Sequence, residues 1–250
     1  PQAVAGGLGH GRCDRHLLPH QLIHQRGFAH VRATDQCDEA RAVILWQGSC
    51  VHDLSLRRHW IGPLNRPIAL GKELNRSMAD QRPTFQQAME ITAAWLQQWD
   101  NEEISDEVLA DRIGEMVASR DGARGFFVVS LAGESVLMDR LPDAVVGQLR
   151  GAGAGVVDLS VRNLAMSTAM AVHHRRTGDE AQQAGSERVS SRCIELLRLL
   201  EPAEVKERLE QLLAAALDNR GEDVAFLKKW GYDAEQKQAI GDSVYAVAEG

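Results

Sequence analysis

The spacing of apolar side chains downstream of Met78 is the feature that most restricts what this chain can fold into. Between residues 205 and 217 these side chains recur every three or four positions, at Val205, Leu209, Leu212, Leu213, Ala216 and Leu217. Because an α-helix turns once every 3.6 residues, this spacing places them on one face. Comparable stripes occur over residues 85–99, 109–117, 189–200 and 240–247. The pattern predicts several amphipathic helices around a shared core.

Helix-start signals stand before three of these stripes. Thr84 and Gln87 have the spacing of a capping box, in which each side chain bonds the backbone N–H of the other residue. Asp233 and Gln236 form a second capping signal, and Ser105 precedes two acidic residues that suit the positive end of a helix. The signals predict helices that begin directly after Thr84, Ser105 and Asp233.

Residues 125–132 and 156–161 could form either helices or strands, so they leave the fold class open. Both runs are rich in apolar, aromatic or β-branched side chains, and a helical pattern over residues 143–150 separates them. That order would suit a small parallel βαβ unit, which is the α/β alternative. The second run, however, continues into residues 162–172 as one helical stretch that begins near Asp158. We therefore expect an all-α, multi-helix globular bundle.

Residues 157–176 carry two apolar stripes, which is typical of a helix surrounded by other helices. Arg162 and Asn163 interrupt this apolar surface, and a buried charge needs a partner. Asp158 lies one helical turn before Arg162 and can supply that partner, whereas binding of an anionic ligand is the alternative role of Arg162. The stretch predicts a buried central helix that contains an ion pair.

Four basic side chains close the predicted central helix at residues 173–176. Positive charge at a helix C-terminus complements the helix dipole, so a solvated cap is the structural interpretation. The functional alternative is a patch that contacts a phosphate group or a protein partner. The candidate ligand- or partner-contact residues are Arg124, Arg162, Asn163, His173, His174, Arg175 and Arg176.

The sequence matches no catalytic template. The glycine-rich segment 151–155 lacks the preceding strand and the downstream acid of a dinucleotide-binding loop, and we interpret it as a flexible connector. Cys193 has apolar neighbours and no nearby histidine, which indicates a buried thiol. Asp139 and Arg140 are interpreted as a structural acid–base pair in a turn. We predict no catalytic residue, no metal site and no cofactor.

The first 77 residues differ in composition from the remainder. They hold ten of the 28 Lys and Arg residues but only six of the 35 Asp and Glu residues, so they are basic and the remainder is acidic. Seven of the nine histidines and three of the four cysteines lie there without a sustained helical or strand period. We expect residues 1–77 to be a poorly ordered or non-native extension, with Met78 as the true start and 78–250 as the helical domain. A genuine small domain and a zinc site built from its Cys and His residues are the alternatives.

Composition also limits the functional class. The formal net charge of −7 argues against general nucleic-acid binding, which needs a basic surface. No run approaches the roughly 20 apolar residues that cross a bilayer, and the first residues lack the pattern of a signal peptide. We predict a cytoplasmic protein that binds neither nucleic acid nor membrane.

Three segments, at residues 119–128, 161–171 and 226–233, carry a family resemblance. They read SRDGARGFFV, VRNLAMSTAMA and FLKKWGYD. Over roughly residues 84–245 the chain resembles an uncharacterised conserved family of cyanobacterial all-α proteins with no known activity. The resemblance implies a bacterial cytoplasmic setting and supplies no functional residue.

Two functions remain open from the sequence. The first is a non-catalytic helical interaction or regulatory protein with a protein partner or self-association, because the chain combines an acidic surface with several amphipathic helices. The second is a small-ligand sensor or enzyme that uses an Arg/Asn/His cluster on the central helix. The second function requires Arg124, Arg162, Asn163 and His173 to surround one cavity.

Overall fold

The computed structural model describes residues 82–249, and these residues form nine α-helices and one short 3₁₀ turn without any strand. The helices are α1 (Phe85–Asp100), α2 (Asp106–Val117), α3 (Arg120–Ala132), α4 (Asp143–Gly151), α5 (Ala154–Thr177), α6 (Glu180–Leu199), α7 (Pro202–Leu217), α8 (Asp223–Lys229) and α9 (Ala234–Ala248), and the 3₁₀ turn is Leu137–Asp139. The all-α prediction is confirmed for this part of the chain. The predictions for residues 1–77 lie outside the described residues.

Side-chain caps fix where three helices begin, as the sequence predicts. Thr84 Oγ1 accepts a hydrogen bond from the backbone N–H of Gln87 at 3.3 Å, and Gln87 Oε1 accepts one from Thr84 N at 3.0 Å. Asp233 and Gln236 form the same reciprocal pair at 3.0 and 3.1 Å. Ser105 caps α2 through its hydroxyl. These bonds satisfy amides that have no partner inside the helix.

The βαβ alternative is wrong, because both proposed strands are helical. Residues 125–132 lie in α3, where the six consecutive residues 122–127 are buried. An apolar run of eight residues is too short for its period to distinguish a buried helix from a buried strand. Residues 156–161 belong to α5, which begins at Ala154 rather than near Asp158.

The long helix α5 occupies the centre of the described fold, as predicted. It packs along α6 and also contacts α3, α7 and α9, while α1 packs on α3 and α2 packs on α4. Ten of its 24 residues are buried, and they occur around much of its circumference. Within residues 82–249, neither α5 nor any other helix is apolar enough over a sufficient length to cross a membrane.

Gly125 lets α3 approach the backbone of α1 closely. A Cβ atom built at Gly125 would lie 2.5 Å from Ala88 Cβ and 2.9 Å from the carbonyl oxygen of Phe85. Both distances are shorter than van der Waals contact, and the carbonyl belongs to a helix backbone that cannot rotate away. Any larger side chain at this position must therefore push α3 and α1 apart.

We predict that Gly125→Ala lowers the free energy of unfolding by about 1–3 kcal/mol, because the added methyl group overpacks the contact between α1 and α3. Gly147→Ala is the matched control, since Gly147 lies in α4 with no atom within 4 Å of its built Cβ. Alanine should raise stability there by about 0.5–1 kcal/mol. Urea unfolding followed by circular dichroism measures both changes, and equal stabilisation by the two substitutions would contradict the close approach.

Candidate functional site

Arg162 belongs to a cluster of four charged side chains that joins three helices. Its Nε lies 2.9 Å from Asp158 Oδ2, which confirms the ion pair predicted from their spacing. Arg208 of α7 donates to the same carboxylate at 2.8 Å. Arg208 also bonds Asp223 of α8 through both Nη atoms, at 2.5 and 3.0 Å. The cluster therefore connects α5, α7 and α8.

The charges within this cluster balance, and part of it is buried. Asp223 is buried, and the Arg162 guanidinium lies 5.2 Å from the centroid of the Phe226 ring. Asn163, the next candidate residue, is only partly buried. Because both guanidinium groups already bond carboxylates, an anionic ligand would have to displace one of them. Ligand binding by Arg162 and Asn163 stays a prediction.

Arg124 lies on a different helix from the other candidate residues and has other partners. It is 4% exposed on α3, and its Nη1 lies 3.1 Å from Asp121 Oδ1. Its guanidinium carbon is 4.8 Å from the centroid of the Phe85 ring of α1. Arg162, by contrast, bonds Asp158 on α5. Arg124 and Arg162 therefore have different partners on different helices.

The basic end of α5 contacts the beginning of α9. Arg176 Nη1 lies 2.5 Å from Asp233 Oδ2, and its Nε lies 3.0 Å from Glu235 Oε2. Arg175 Nη2 donates to the other oxygen of Glu235 at 2.5 Å. Hydrogen bonds from Arg176 and from the Gln236 amide lower the pKa of Asp233 to about 2. The two arginines thus link α5 to α9, a contact that their position at a helix end did not predict.

His173 and His174 lie next to each other at the same end of α5. Their ring centroids are 5.5 Å apart with an edge-to-face arrangement. Desolvation and the neighbouring His173 lower the pKa of His174, while the carboxylate of Asp179 opposes this shift. The folded chain therefore binds a proton at His174 more weakly than the unfolded chain does.

Arg192, which the sequence did not mark as a candidate, is the most highly coordinated charged side chain of α6. It is buried, and its Nε and Nη2 donate to the Asp139 carboxylate at 2.7 and 2.6 Å. Its Nη1 donates to the carbonyl oxygens of Leu131 at 2.9 Å and Gly133 at 2.8 Å. These carbonyl groups lie at the C-terminal end of α3, where the helix has no further backbone N–H group to bond them. Arg192 therefore caps α3 and fixes it to α6.

The ion pair predicted between Asp139 and Arg140 is wrong, because Asp139 bonds Arg192 instead. The hydrogen bond from Arg192 lowers the pKa of Asp139, although partial burial acts in the opposite direction. Asp139 and Arg192 are 53 positions apart in sequence, so no local spacing could have identified this pair. The available signal was that Arg192 lies three positions after Val189 and four before Leu196, on the apolar stripe of α6.

A second surface that sequence analysis did not single out is the exposed side of α2. Val108 is 42% exposed there, and the carboxylates of Glu107, Asp111 and Glu115 are exposed around it. We call these four residues the α2 outer face. Within residues 82–249 the three carboxylates make no ion pair, and Asp111 accepts only a 3.4 Å hydrogen bond from Gln148. The sequence feature that could have indicated this surface is the high density of acidic residues over 100–115.

Within residues 82–249, no three His, Cys, Asp or Glu side chains are arranged to hold a metal ion. Cys193 is fully buried, and burial raises the pKa of its thiol, as expected for a structural cysteine. The buried-thiol prediction is therefore confirmed.

We predict that the free energy of unfolding decreases as pH falls below about 6.5, the ordinary pKa of histidine. In that range the unfolded chain takes up a proton at position 174 more readily than the folded chain, so stability present at neutral pH is lost. His174→Gln should remove this part of the pH dependence. His173→Gln should reduce it only in part, because it removes the second cause of the shift. Urea unfolding across this pH range tests the prediction, and identical slopes in all three proteins would contradict it.

We predict that Arg192→Met lowers the free energy of unfolding by about 3 kcal/mol, because it leaves buried carbonyl oxygens without donors. Arg188→Met is the matched control on the same helix, since Arg188 makes an exposed ion pair with Glu134 at 3.0 Å. An exposed pair contributes at most about 1 kcal/mol. Denaturant unfolding measures both variants, and losses of equal size would contradict the capping role of Arg192.

Residues 84–247 match the model of a known protein family. The model of the family described as "Uncharacterised conserved protein UCP020893" matches residues 84–247, which is more than half of the chain and nearly the same segment that carries the resemblance noted from the sequence. Neither the curated proteins nor the solved structures contain a match. The chain therefore belongs to this family of uncharacterised conserved proteins.

Proposed function

We propose that this chain is a non-catalytic helical interaction or regulatory protein that contacts a basic protein partner through the α2 outer face. The observation that supports the proposal is the exposure of Val108 among three carboxylates that make no ion pair within the described residues. Burial of Val108 in a complex would remove apolar surface from water. Self-association of the helical domain is part of the same proposal.

The charge pattern of α2 favours a basic partner in particular. Glu107, Asp111 and Glu115 follow one another at intervals of four positions. Like charges at this spacing lie on the same side of a helix and destabilise it by a few tenths of a kcal/mol per pair. Lysine or arginine side chains of a partner would replace this repulsion with attraction and would steer the encounter.

The proposed setting is the cytoplasm of a bacterium, and of a cyanobacterium in particular, as the family resemblance implies. The part of the chain downstream of Met78 carries 18 Lys and Arg residues against 29 Asp and Glu residues. Nucleic-acid phosphates would be repelled by such a surface. The expected partner is therefore a protein with a surface rich in Lys or Arg.

The alternative is a small-ligand sensor or enzyme built on Arg124, Arg162, Asn163 and His173. It would require these side chains to act on one bound molecule. Arg124 lies over Phe85 with Asp121, whereas Arg162 bonds Asp158, so the observations favour the interaction function. A thermal-shift screen with phosphorylated ligands is the direct test of the alternative.

We predict that a photo-crosslinking amino acid at position 108 forms covalent adducts with a partner protein in the native cell. Adduct formation should decrease strongly when Glu107, Asp111 and Glu115 are all replaced by glutamine, because the electrostatic attraction is then lost. Gel separation and mass spectrometry detect and identify the adducts.

Position 136 provides the matched control for this experiment. Val136 is also an exposed valine, at 52%, but it lies outside the α2 outer face. Replacement of Glu187, Glu207 and Glu210 by glutamine, on α6 and α7, controls for the loss of three exposed carboxylates. Equal adducts at positions 108 and 136, or equal effects of the two triple substitutions, would refute the proposed surface.

A further inference from the structure

The contact between α7 and α9 leaves two large apolar side chains at the surface. Leu217 of α7 is 42% exposed, and Tyr245 of α9 is 49% exposed. Leu217 covers Gly241 of α9, since a Cβ built at Gly241 would lie 3.1 Å from Leu217 Cδ2. Tyr245 follows Gly241 by four positions, so it lies one helical turn further along the same side of α9. The two side chains therefore form one exposed apolar patch that spans two helices.

Two charged side chains continue this row of α9 in both directions. Lys237 stands one turn before Gly241, and Glu249 stands one turn after Tyr245. In the part of the chain that the structure describes, neither of them makes an ion pair. Helical geometry separates their Cα atoms by about 18 Å, so they cannot pair with each other within one chain. We give the name α9 outer face to Leu217, Lys237, Gly241, Tyr245 and Glu249.

The order of residues along this row is complementary to itself. Gly241 and Tyr245 each lie two positions from residue 243, and Lys237 and Glu249 each lie six positions from it. A second α9 that runs in the opposite direction about this midpoint places position 245 opposite position 241 and position 237 opposite position 249. Residues four apart form a ridge on a helix, and packing of two such ridges is the commonest helix–helix arrangement.

The antiparallel arrangement gives each side chain of the row a suitable partner. Gly241 has no side chain, so Tyr245 of a second copy would lie on Leu217, which covers that position. Burial of the tyrosine ring against leucine removes apolar surface of both copies from water, and tyrosine is enriched among the residues that dominate binding energy at interfaces. Lys237 of each copy would meet Glu249 of the other. The two-fold symmetry makes every one of these contacts twice.

The mixed charge of the α9 outer face favours a second copy over a partner of one sign. A basic partner would be repelled by Lys237, and an acidic partner would be repelled by Glu249. Asp242, the neighbouring carboxylate, accepts a hydrogen bond from Gln238 of its own helix at 2.9 Å. The α2 outer face differs in this respect, because it combines its valine with carboxylates alone.

We propose that two copies of this chain associate through the α9 outer face, with their α9 helices antiparallel. Each copy keeps all of the contacts within its own fold, and the association adds the Tyr245–Leu217 and Lys237–Glu249 contacts between copies. The inference specifies the surface of the self-association included in the proposed function and rests on that part of it. It does not involve the α2 outer face.

Charge variants of the full chain test the antiparallel arrangement. Lys237→Glu places two carboxylates opposite each other, and Glu249→Lys places two ammonium groups opposite each other. Each single change should raise the dissociation constant of the dimer about tenfold, because two ion pairs become repulsive contacts. The double variant with both changes restores the two pairs and should return to nearly the wild-type constant. Rescue requires contact between copies, since the two positions are too far apart within one chain.

Sedimentation velocity over a series of protein concentrations at low salt measures these constants. Lys229→Glu on α8 and Glu187→Lys on α6 are the matched controls, because both residues are exposed and lie outside the α9 outer face. These controls should leave the dissociation constant unchanged. Single variants that dimerise as tightly as the wild type, or a double variant that remains as weak as the single ones, would overturn the arrangement.

The apolar half of the face is tested separately. Tyr245→Ser and Leu217→Gln should each raise the dissociation constant at least about tenfold, because each removes apolar contact area from both copies. Val136→Gln is the control, since Val136 is an exposed valine outside this face. Circular dichroism verifies that the variants are folded. Equal effects of all three substitutions would contradict the proposed contact.

A crosslinking experiment keeps the proposal testable if a variant does not fold. A photo-crosslinking amino acid replaces Tyr245, which is exposed, in a mixture of isotopically labelled and unlabelled copies. The proposal predicts crosslinked peptides that join position 245 of one copy to the segment around Leu217 or Gly241 of the other. Crosslinks that join only peptides with the same label would overturn it.

The result is distinguishable from failure of the proposed function. Val108→Gln should reduce crosslinks to a basic partner from the α2 outer face and leave the dimer unchanged. A wild-type chain that is monomeric at every concentration refutes self-association and this surface together, whereas adducts at position 108 still support the partner surface. A dimer that ignores the charge and apolar variants refutes only the α9 outer face.

Discussion

The burial of α3 depends on Arg192, and much of the remaining packing depends on α3. Six consecutive residues of this helix are buried, and α3 contacts α1, α2, α5 and α6. The carbonyl groups at its end cannot be left without donors in such an interior. The guanidinium group of Arg192 supplies fixed donors for them and bonds Asp139 with its other side. One side chain thus supplies hydrogen-bond donors to the end of a helix whose middle is buried.

Sequence analysis predicted those parts of the fold that local contacts determine. The caps at Thr84, Ser105 and Asp233 were identified because each bonds a residue only three positions away. Asp158 and Arg162 were paired correctly for the same reason, since one helical turn separates them. The start of α5 was missed because its cap, Gly153, has no side chain to signal it.

Contacts between distant parts of the chain could not be predicted in this way. Arg208 and Asp223 complete the Asp158–Arg162 cluster, but Arg208 is 50 positions from Asp158. Similarly, nothing near Arg176 in sequence indicates Asp233, 57 positions later. In α3 the local pattern itself misled, because a short run of aromatic and β-branched side chains suits a buried helix and a buried strand equally well. Asp158, the local partner of Arg162, was therefore predicted, but distant partners such as Asp233 were not.

The distribution of these ion pairs determines where the acidic excess of the described residues lies. Arginines on α3, α5, α6 and α7 bond carboxylates of the same chain, so an acidic excess remains elsewhere. Part of that excess lies on the α2 outer face, where neighbouring carboxylates repel one another and form no ion pair with the rest of the described fold. A second copy carries the same acidic excess and is a poor partner for this face. The basic end of α5, by contrast, is neutralised by carboxylates of its own chain on α9. Electrostatics therefore favours the proposed basic partner of different sequence at the α2 outer face.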